Sequence, residues 1–137
     1  KKISHKLNII FPLSFLILIF IQISVGAFVS GMDAGKIYNT WPLMGNSYFP
    51  DDNSIINLFK LSAFSDPSLV QFIHRNLAYV ITFFYLFMIY KVYRNKVYEL
   101  YRSISILGFF VIIQIILGIY TVLYGAQIYV AALHQLS

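Results

Sequence analysis

Two histidines stand out by type and by place. His74 lies in Val70-Gln71-Phe72-Ile73-His74-Arg75 and His134 in Ala131-Ala132-Leu133-His134-Gln135, each a few residues inside an otherwise apolar run. Imidazole can be uncharged near neutrality and still offer a strong nitrogen donor to a metal. Two neutral imidazoles at one depth in a helical membrane bundle can hold a heme iron from both faces. Arg75 sits at the end of such a pocket where ionised propionates would need a counter-charge. A lone membrane histidine can instead hydrogen-bond a neighbouring helix, so the matched pair carries more than either residue alone. His5 stands in a basic flank with Lys1, Lys2 and Lys6 and is expected to be an ordinary solvated residue.

Other chemistries find no footing in these residues. The chain has no cysteine, which removes disulfides and thiolate metal sites. It contains no GxGxxG, Walker loop, HExxH or GxSxG, so nucleotide binding, zinc hydrolysis and serine hydrolysis are unsupported. The net charge is +5, but the ten Lys and Arg are spread between apolar runs and form no nucleic-acid-binding stripe.

The elements that must position the histidines are set by hydropathy. Of the 137 residues 59% are hydrophobic and 11% charged, where a soluble domain carries about 25% charge. A chain this short hides only about two-thirds of the surface its unfolded form exposes, so the excess apolar surface must meet lipid. The run from Ile9 to about Val29 has no charge over 21 residues. At 1.5 Å per residue that crosses the ~30 Å hydrocarbon layer, and it is longer than the apolar part of a signal peptide. A second run, about Leu69 to Tyr90, follows the helix-start signal Asp66-Pro67-Ser68. The third extends from about Ser103 to Tyr124, and a fourth starts near Ile128 and reaches only ten residues to Ser137. The expected fold is all-α: a polytopic membrane four-helix bundle with three complete transmembrane helices and a fourth cut short, as in a piece of a longer protein.

Loop charges orient the spans. Lys1, Lys2 and Lys6 precede the first, and Lys91, Arg94, Lys96 and Arg102 against Glu99 follow the second; the long loop 30–68 has Lys36 and Lys60 against Asp33, Asp51, Asp52 and Asp66. The positive-inside rule places the N-terminus of the segment in the cytoplasm or matrix and the long loop outside. His74 and His134 then lie roughly 7–10 Å below the outer boundary on two parallel helices.

A weak repeat supports that pairing. Gln22-x-x-x-Gly26 in the first span and Gln114-x-x-x-Gly118 in the third are each followed by a span bearing one histidine. Gln and Gly four apart share a helix face, so the small residue admits a neighbour while the amide bonds across. Duplication of a helix pair would make His74 and His134 equivalent, about an axis along the membrane normal. In the outer loop, NSIINLFKL reads as a short interfacial helix. Phe83, Phe84, Tyr85 and Phe87 read as packing and lipid contact, and Tyr90, Tyr93, Tyr98 and Tyr101 as an interfacial belt.

Four ordered strings carry a resemblance. Gly26 to Met44 (GAFVSGMDAGKIYNTWPLM) resembles the segment after the fifth transmembrane helix of the heme A synthase family. Val70 to Arg75 is similar to that family's sixth-helix motif, Gln114 to Thr121 to its seventh, and His134-Gln135 to its eighth. The resemblance covers about residues 10–137. It implies that residues 1–137 are the C-terminal four-helix heme-binding half of an eight-helix membrane enzyme. That enzyme is an oxidoreductase that takes the methyl group of heme O to the formyl group of heme A, for terminal oxidases.

It further implies that His74 and His134 ligate a b-type heme, with Arg75 and Gln71 also on the cofactor side and no catalytic residue in this half. Heme O would be the substrate of the whole enzyme, and this segment alone would be inactive. Partners implied are the bilayer, heme, heme O synthase or an electron donor, and a second copy in a homo-oligomer; nucleic acid is not among them. The location implied is the bacterial inner membrane or the mitochondrial inner membrane.

One departure bears on chemistry. The family's other half has a glutamate three residues before its histidine, where this chain has Gln71. A neutral amide cannot exchange a proton as a carboxylate does, which fits cofactor binding rather than substrate oxidation. A di-heme or quinol-oxidising cytochrome b would use the same histidine geometry, and a transporter or structural subunit would use the histidines as a proton relay or as packing contacts.

Overall fold

The apolar runs become helices because in a bilayer a single segment of about 20 residues can satisfy its backbone N–H and C=O groups within itself only as a helix. A computed structural model describes residues 7–136; the basic residues Lys1, Lys2 and Lys6, and His5, lie outside the described residues. Among the described residues there are four α-helices: α1 (Ile10–Gly31), α2 (Pro67–Arg94), α3 (Tyr101–Leu123) and α4 (Ile128–Leu136). The first three are long and apolar enough to cross a membrane. Pro12 falls in the first turn of α1, where its missing N–H costs little.

α1 packs along α2 and α3 along α4, and α2 also meets α3. The repeat inferred from the Gln-x-x-x-Gly strings extends to the helix ends. α1 stops at Gly31 and turns through Asp33 at φ 52°, while α3 stops at Leu123 and turns through Gly125 at φ 65°. What differs is the connection: a long outer loop joins α1 to α2, and the short turn Gly125-Ala126-Gln127 joins α3 to α4. The first loop begins with a 3-10 turn (Ala34–Lys36) whose Gly35 packs against Ala126, so the two connections touch.

The core lies toward the end of the bundle away from this loop. Phe15, Ile81, Tyr85, Met88, Val92, Val97 and Ile104 form one buried cluster from α1, α2, the 95–100 turn and α3. Lipid tails are as apolar as these side chains, so close packing and hydrogen bonding rather than water exclusion hold the helices together. The Tyr85 hydroxyl donates to the Ile104 carbonyl at 2.8 Å, and a β-carbon on Gly108 would overlap that hydroxyl. Gly108→Ala is therefore expected to push Tyr85 out of its seat, costing about 1–3 kcal/mol for overpacking. Thermal unfolding in micelles checks this, and an unchanged midpoint would count against the Tyr85 lock.

α2 starts as its sequence signal predicts. Asp66 caps it, accepting from the backbone N–H groups of Ser68 (3.0 Å) and Leu69 (3.1 Å), and Pro67 takes the first helical position. Burial pushes the Asp66 carboxyl up, but hydrogen bonds from Asn53, Ser68 and the two backbone N–H groups outweigh it and hold the group below its ordinary range. The cap's ionic contribution is thus complete at neutral pH and is lost as pH falls through that depressed value. Asp66→Ala is expected to cost about 1 kcal/mol at neutral pH and less in acid. Equal destabilisation at both would show that the ionised carboxylate is not what caps the helix.

The loop segment read as an interfacial helix takes a different form. It is two 3-10 turns, Ile55–Phe59 and Leu61–Ser65, broken at Lys60 in extended conformation. Ile56, Phe59 and Leu61 remain exposed, and Phe64 meets Phe28 of α1 with ring centroids 6.1 Å apart. Ile55, Ile56, Leu58 and Phe59 share one helical face, but Leu61 falls off it and extended Lys60 ends the first turn after five residues, too short a run to hold an α-helix by itself.

Candidate functional site

α2 and α4 bring the two histidines together. The rings of His74 and His134 lie 6.4 Å apart between centroids with their planes at 82°. Each rests against a glycine of the preceding helix: β-carbons built on Gly26 and Gly118 would stand 3.1 Å from Cε1 of His74 and of His134. Gln22, one turn before Gly26, reaches His74 twice, its Nε2 lying 3.4 Å from the ring Nε2 and donating to the main-chain carbonyl at 3.3 Å. Nδ1 of both rings is buried without a hydrogen-bond partner. From α4, the Gln135 amide donates to Ser30 Oγ of α1 at 2.8 Å, tying the first helix to the last beside the pair.

Arg75 and Gln71 lie one turn apart on α2 and are both engaged with the outer loop. The Arg75 guanidinium donates to the carbonyls of Thr40 (2.8 Å), Tyr38 (2.8 Å) and Leu43 (3.3 Å), and Gln71 Nε2 donates to Tyr38 O at 2.9 Å. Arg75 has no carboxylate partner among the described residues, where the one ion pair joins Lys36 to Asp33. Its Nε and the Gln71 Oε1 are buried and unpartnered. Residues 38–50 are thereby folded back over the first turns of α2. Trp41 Nε1 donates to Tyr79 OH at 3.1 Å, the Tyr48 hydroxyl donates to Asn76, and Phe49 stands edge-on to Phe72.

Two loop residues whose roles the sequence leaves open are placed here. Asn39 Nδ2 donates to the carbonyls of Gly35 and Val122, both at 2.9 Å, which pins the loop to the end of α3. Tyr38 donates its hydroxyl to Asp52 at 3.0 Å, and burial together with that bond holds the phenol above its ordinary range and so protonated. Among the described residues no cluster of three or more His, Asp or Glu side chains gathers.

The pattern of the family described as COX15-CtaA, cytochrome oxidase assembly protein, matches residues 4–137. The chain belongs to this heme A synthase family. Among the relatives of the family, the heme A synthase of Pelagibacter ubique is 41% identical over 100% of this chain and 40% of its own length. That of Rickettsia bellii is 36% identical over 98% of this chain and 40% of its own length. That of Roseobacter denitrificans is 37% identical over 85% of this chain and 30% of its own length. The chain thus spans about 40% or less of these heme A synthases. No solved structure matches.

Within the heme A synthase family string 26–44, the structure gives the residues distinct tasks. Gly26 seats a histidine, Tyr38, Thr40 and Leu43 offer carbonyls to Arg75, and Asn39 ties the loop to α3. The sequence signals the glycines only as small residues for close helix approach. That the approaching group is an imidazole, and that Arg75 faces carbonyls, has no local signature.

Proposed function

We propose that this chain provides a b-type heme site, held by His74 and His134, in a heme A synthase that oxidises the methyl group of heme O to the formyl group of heme A. The observation that carries it is the paired-ring geometry, 6.4 Å between centroids at 82°, on helices from the two repeats. With metal–nitrogen bonds of about 2 Å and imidazole nitrogens about 1 Å from the ring centre, one metal between two rings separates their centroids by about 6 Å. The donor set would fit as well: two imidazoles, each with a buried nitrogen lacking any protein partner, are donors of the kind that hold heme iron. When bound, the heme supplies one-electron transfer.

This chain's own residues orient and insulate. His74 and His134 hold the group from two helix pairs, which joins the halves of the bundle. Arg75 brings a buried positive charge without a carboxylate partner among the described residues; a desolvated charge needs compensation, and the propionates of a heme are anions of the right kind. Gln71 supports the site by holding Tyr38 and, being a neutral amide, moves no proton. Substrate oxidation then belongs to the other half of an eight-helix protein, with the N-terminal end of this segment in the cytoplasm or matrix and the loop 32–66 outside. That orientation is supported by Lys91, Arg94, Lys96 and Arg102 at one end of the spans and Asp33, Asp51, Asp52 and Asp66 at the other.

The test is to express the full-length protein in a membrane that supplies heme O. Accumulation of heme A and copurification of a low-spin b-type heme are expected. A b-type heme without conversion of heme O would assign the chain to an electron-transfer cytochrome b instead, and a preparation with no heme absorption would remove the site.

A further inference from the structure

Ligating histidines are usually held in place by a hydrogen bond from the ring nitrogen that does not face the metal. In His74 and His134 the buried Nδ1 without a partner is the nitrogen left free for a metal, and on His74 the Gln22 amide stands 3.4 Å from the other, Nε2. Each ring also has a backbone seat. At Gly26 the nearest atoms to an added β-carbon would be His74 Cε1 at 3.1 Å, Nδ1 at 3.7 Å and Nε2 at 3.9 Å. At Gly118 they would be His134 Cε1 at 3.1 Å, Nε2 at 3.4 Å and Nδ1 at 3.7 Å. The same ring edge, centred on Cε1, meets the glycine in both repeats. The two glycines also stand at the same distance from the ends of their helices, Gly31 and Leu123. Gly31 itself, on the same helix as Gly26, has nothing within 4 Å of such a carbon.

Resting on the assignment of His74 and His134 as heme ligands, we infer that Gly26 and Gly118 are positioning residues: each seats one imidazole directly on helix backbone, and together they set the near-perpendicular crossing of the two rings. A helix backbone in a packed pair moves less than a side chain, so a ring pressed on it has few alternative torsions. A methyl at 3.1 Å from Cε1 is closer than carbon atoms settle at rest, about 3.5–4.0 Å, so the ring must tilt or slide. The Gln22 amide, within 3.4 Å of His74 Nε2, adds a second contact on the first ring.

The experiment uses the heme-loaded full-length protein with Gly26→Ala, Gly118→Ala and Gly31→Ala. Its readouts are the electron paramagnetic resonance of the oxidised b-type heme and its midpoint potential, because both follow the placement of the axial rings. The first two variants are expected to keep a histidine-ligated low-spin heme but to shift the lowest-field resonance and the potential; Gly31→Ala is expected to match the unmodified protein. Spectra of Gly26→Ala and Gly118→Ala that superimpose on the unmodified protein would overturn the inference, as would an equal shift in Gly31→Ala.

Should Gly26→Ala lose its heme, the double variant Gly26→Ala/His74→Gly with free imidazole decides the matter. An untethered imidazole can settle clear of the methyl, so heme binding equal to that of His74→Gly with imidazole supports seating of the ring. Failure there shows a helix defect and overturns the inference. If instead His74→Ala and His134→Ala keep the low-spin signal, the ligand assignment itself falls and takes this inference with it. Loss in the histidine variants with no change in the glycine variants removes the seating alone.

Discussion

His74→Ala and His134→Ala are each expected to abolish the low-spin b-type heme signal of the full-length protein. Each substitution would remove one of the two imidazoles proposed to hold the heme iron, whose rings stand 6.4 Å apart between centroids on different helix pairs. No third histidine, aspartate or glutamate gathers with the pair among the described residues to take the vacated place. Changing a group that merely orients a metal ligand weakens binding by about 10–100-fold, so removing a ligand should cost at least that much heme affinity. The two variants should also behave alike, because the two rings are seated in the same way on equivalent glycines. His5→Ala is the matched control, expected to leave heme content unchanged. Heme content and reduced-minus-oxidised spectra read the outcome; retention of the low-spin signal in both histidine variants would remove the assignment.

Arg75→Ala is expected to free the outer loop and, separately, to weaken heme retention. Three carbonyls, of Tyr38, Thr40 and Leu43, now receive the guanidinium. Hydrogen bonds to a charged group contribute about 1.5–3 kcal/mol each, so the loop stands to lose several kcal/mol of anchoring even though water replaces part of it. Arg75→Lys separates the two effects. An ammonium keeps the charge but not the planar fork that spans three acceptors, so the lysine variant should show a loosened loop with heme retained. Proteolytic nicking between residues 38 and 50 measures the first effect and heme content the second. A loop as resistant in Arg75→Ala as in the unmodified protein would show that Tyr48, Trp41 and Asn39 suffice to hold it, and unchanged heme retention would end the propionate role.

Arg75 also marks where reading a sequence reaches its limit. Its charge, and its place one residue from His74, point to an anion at the mouth of a pocket. The structure shows its terminal nitrogens already committed to main-chain oxygens. Every residue carries a carbonyl, so a carbonyl acceptor leaves no trace in residue identity. The loop segment read as one short interfacial helix takes another form. Ile55, Ile56, Phe59 and Leu61 are apolar enough for an amphipathic helix, yet Lys60 is extended and splits them into two 3-10 turns. Short helices are marginal without tertiary support, and here the path of the loop back to Asp66 decides.

The spans and the start of α2 were legible from the residues alone. Lipid demands about 20 consecutive apolar residues, and Asp66-Pro67 satisfies the first N–H groups of α2 by local bonds; both constraints act along the chain and so appear in it. The repeat of Gln and Gly on α1 and α3, and one histidine on each following helix, was legible for the same reason. Tertiary structure alone decided what fills those positions: that the glycine's neighbour is an imidazole, that the rings cross at 82°, and that a loop draped over α2 occupies Arg75. Periodicity records which face of a helix is apolar, while the partner across that face is fixed only when the helices pack.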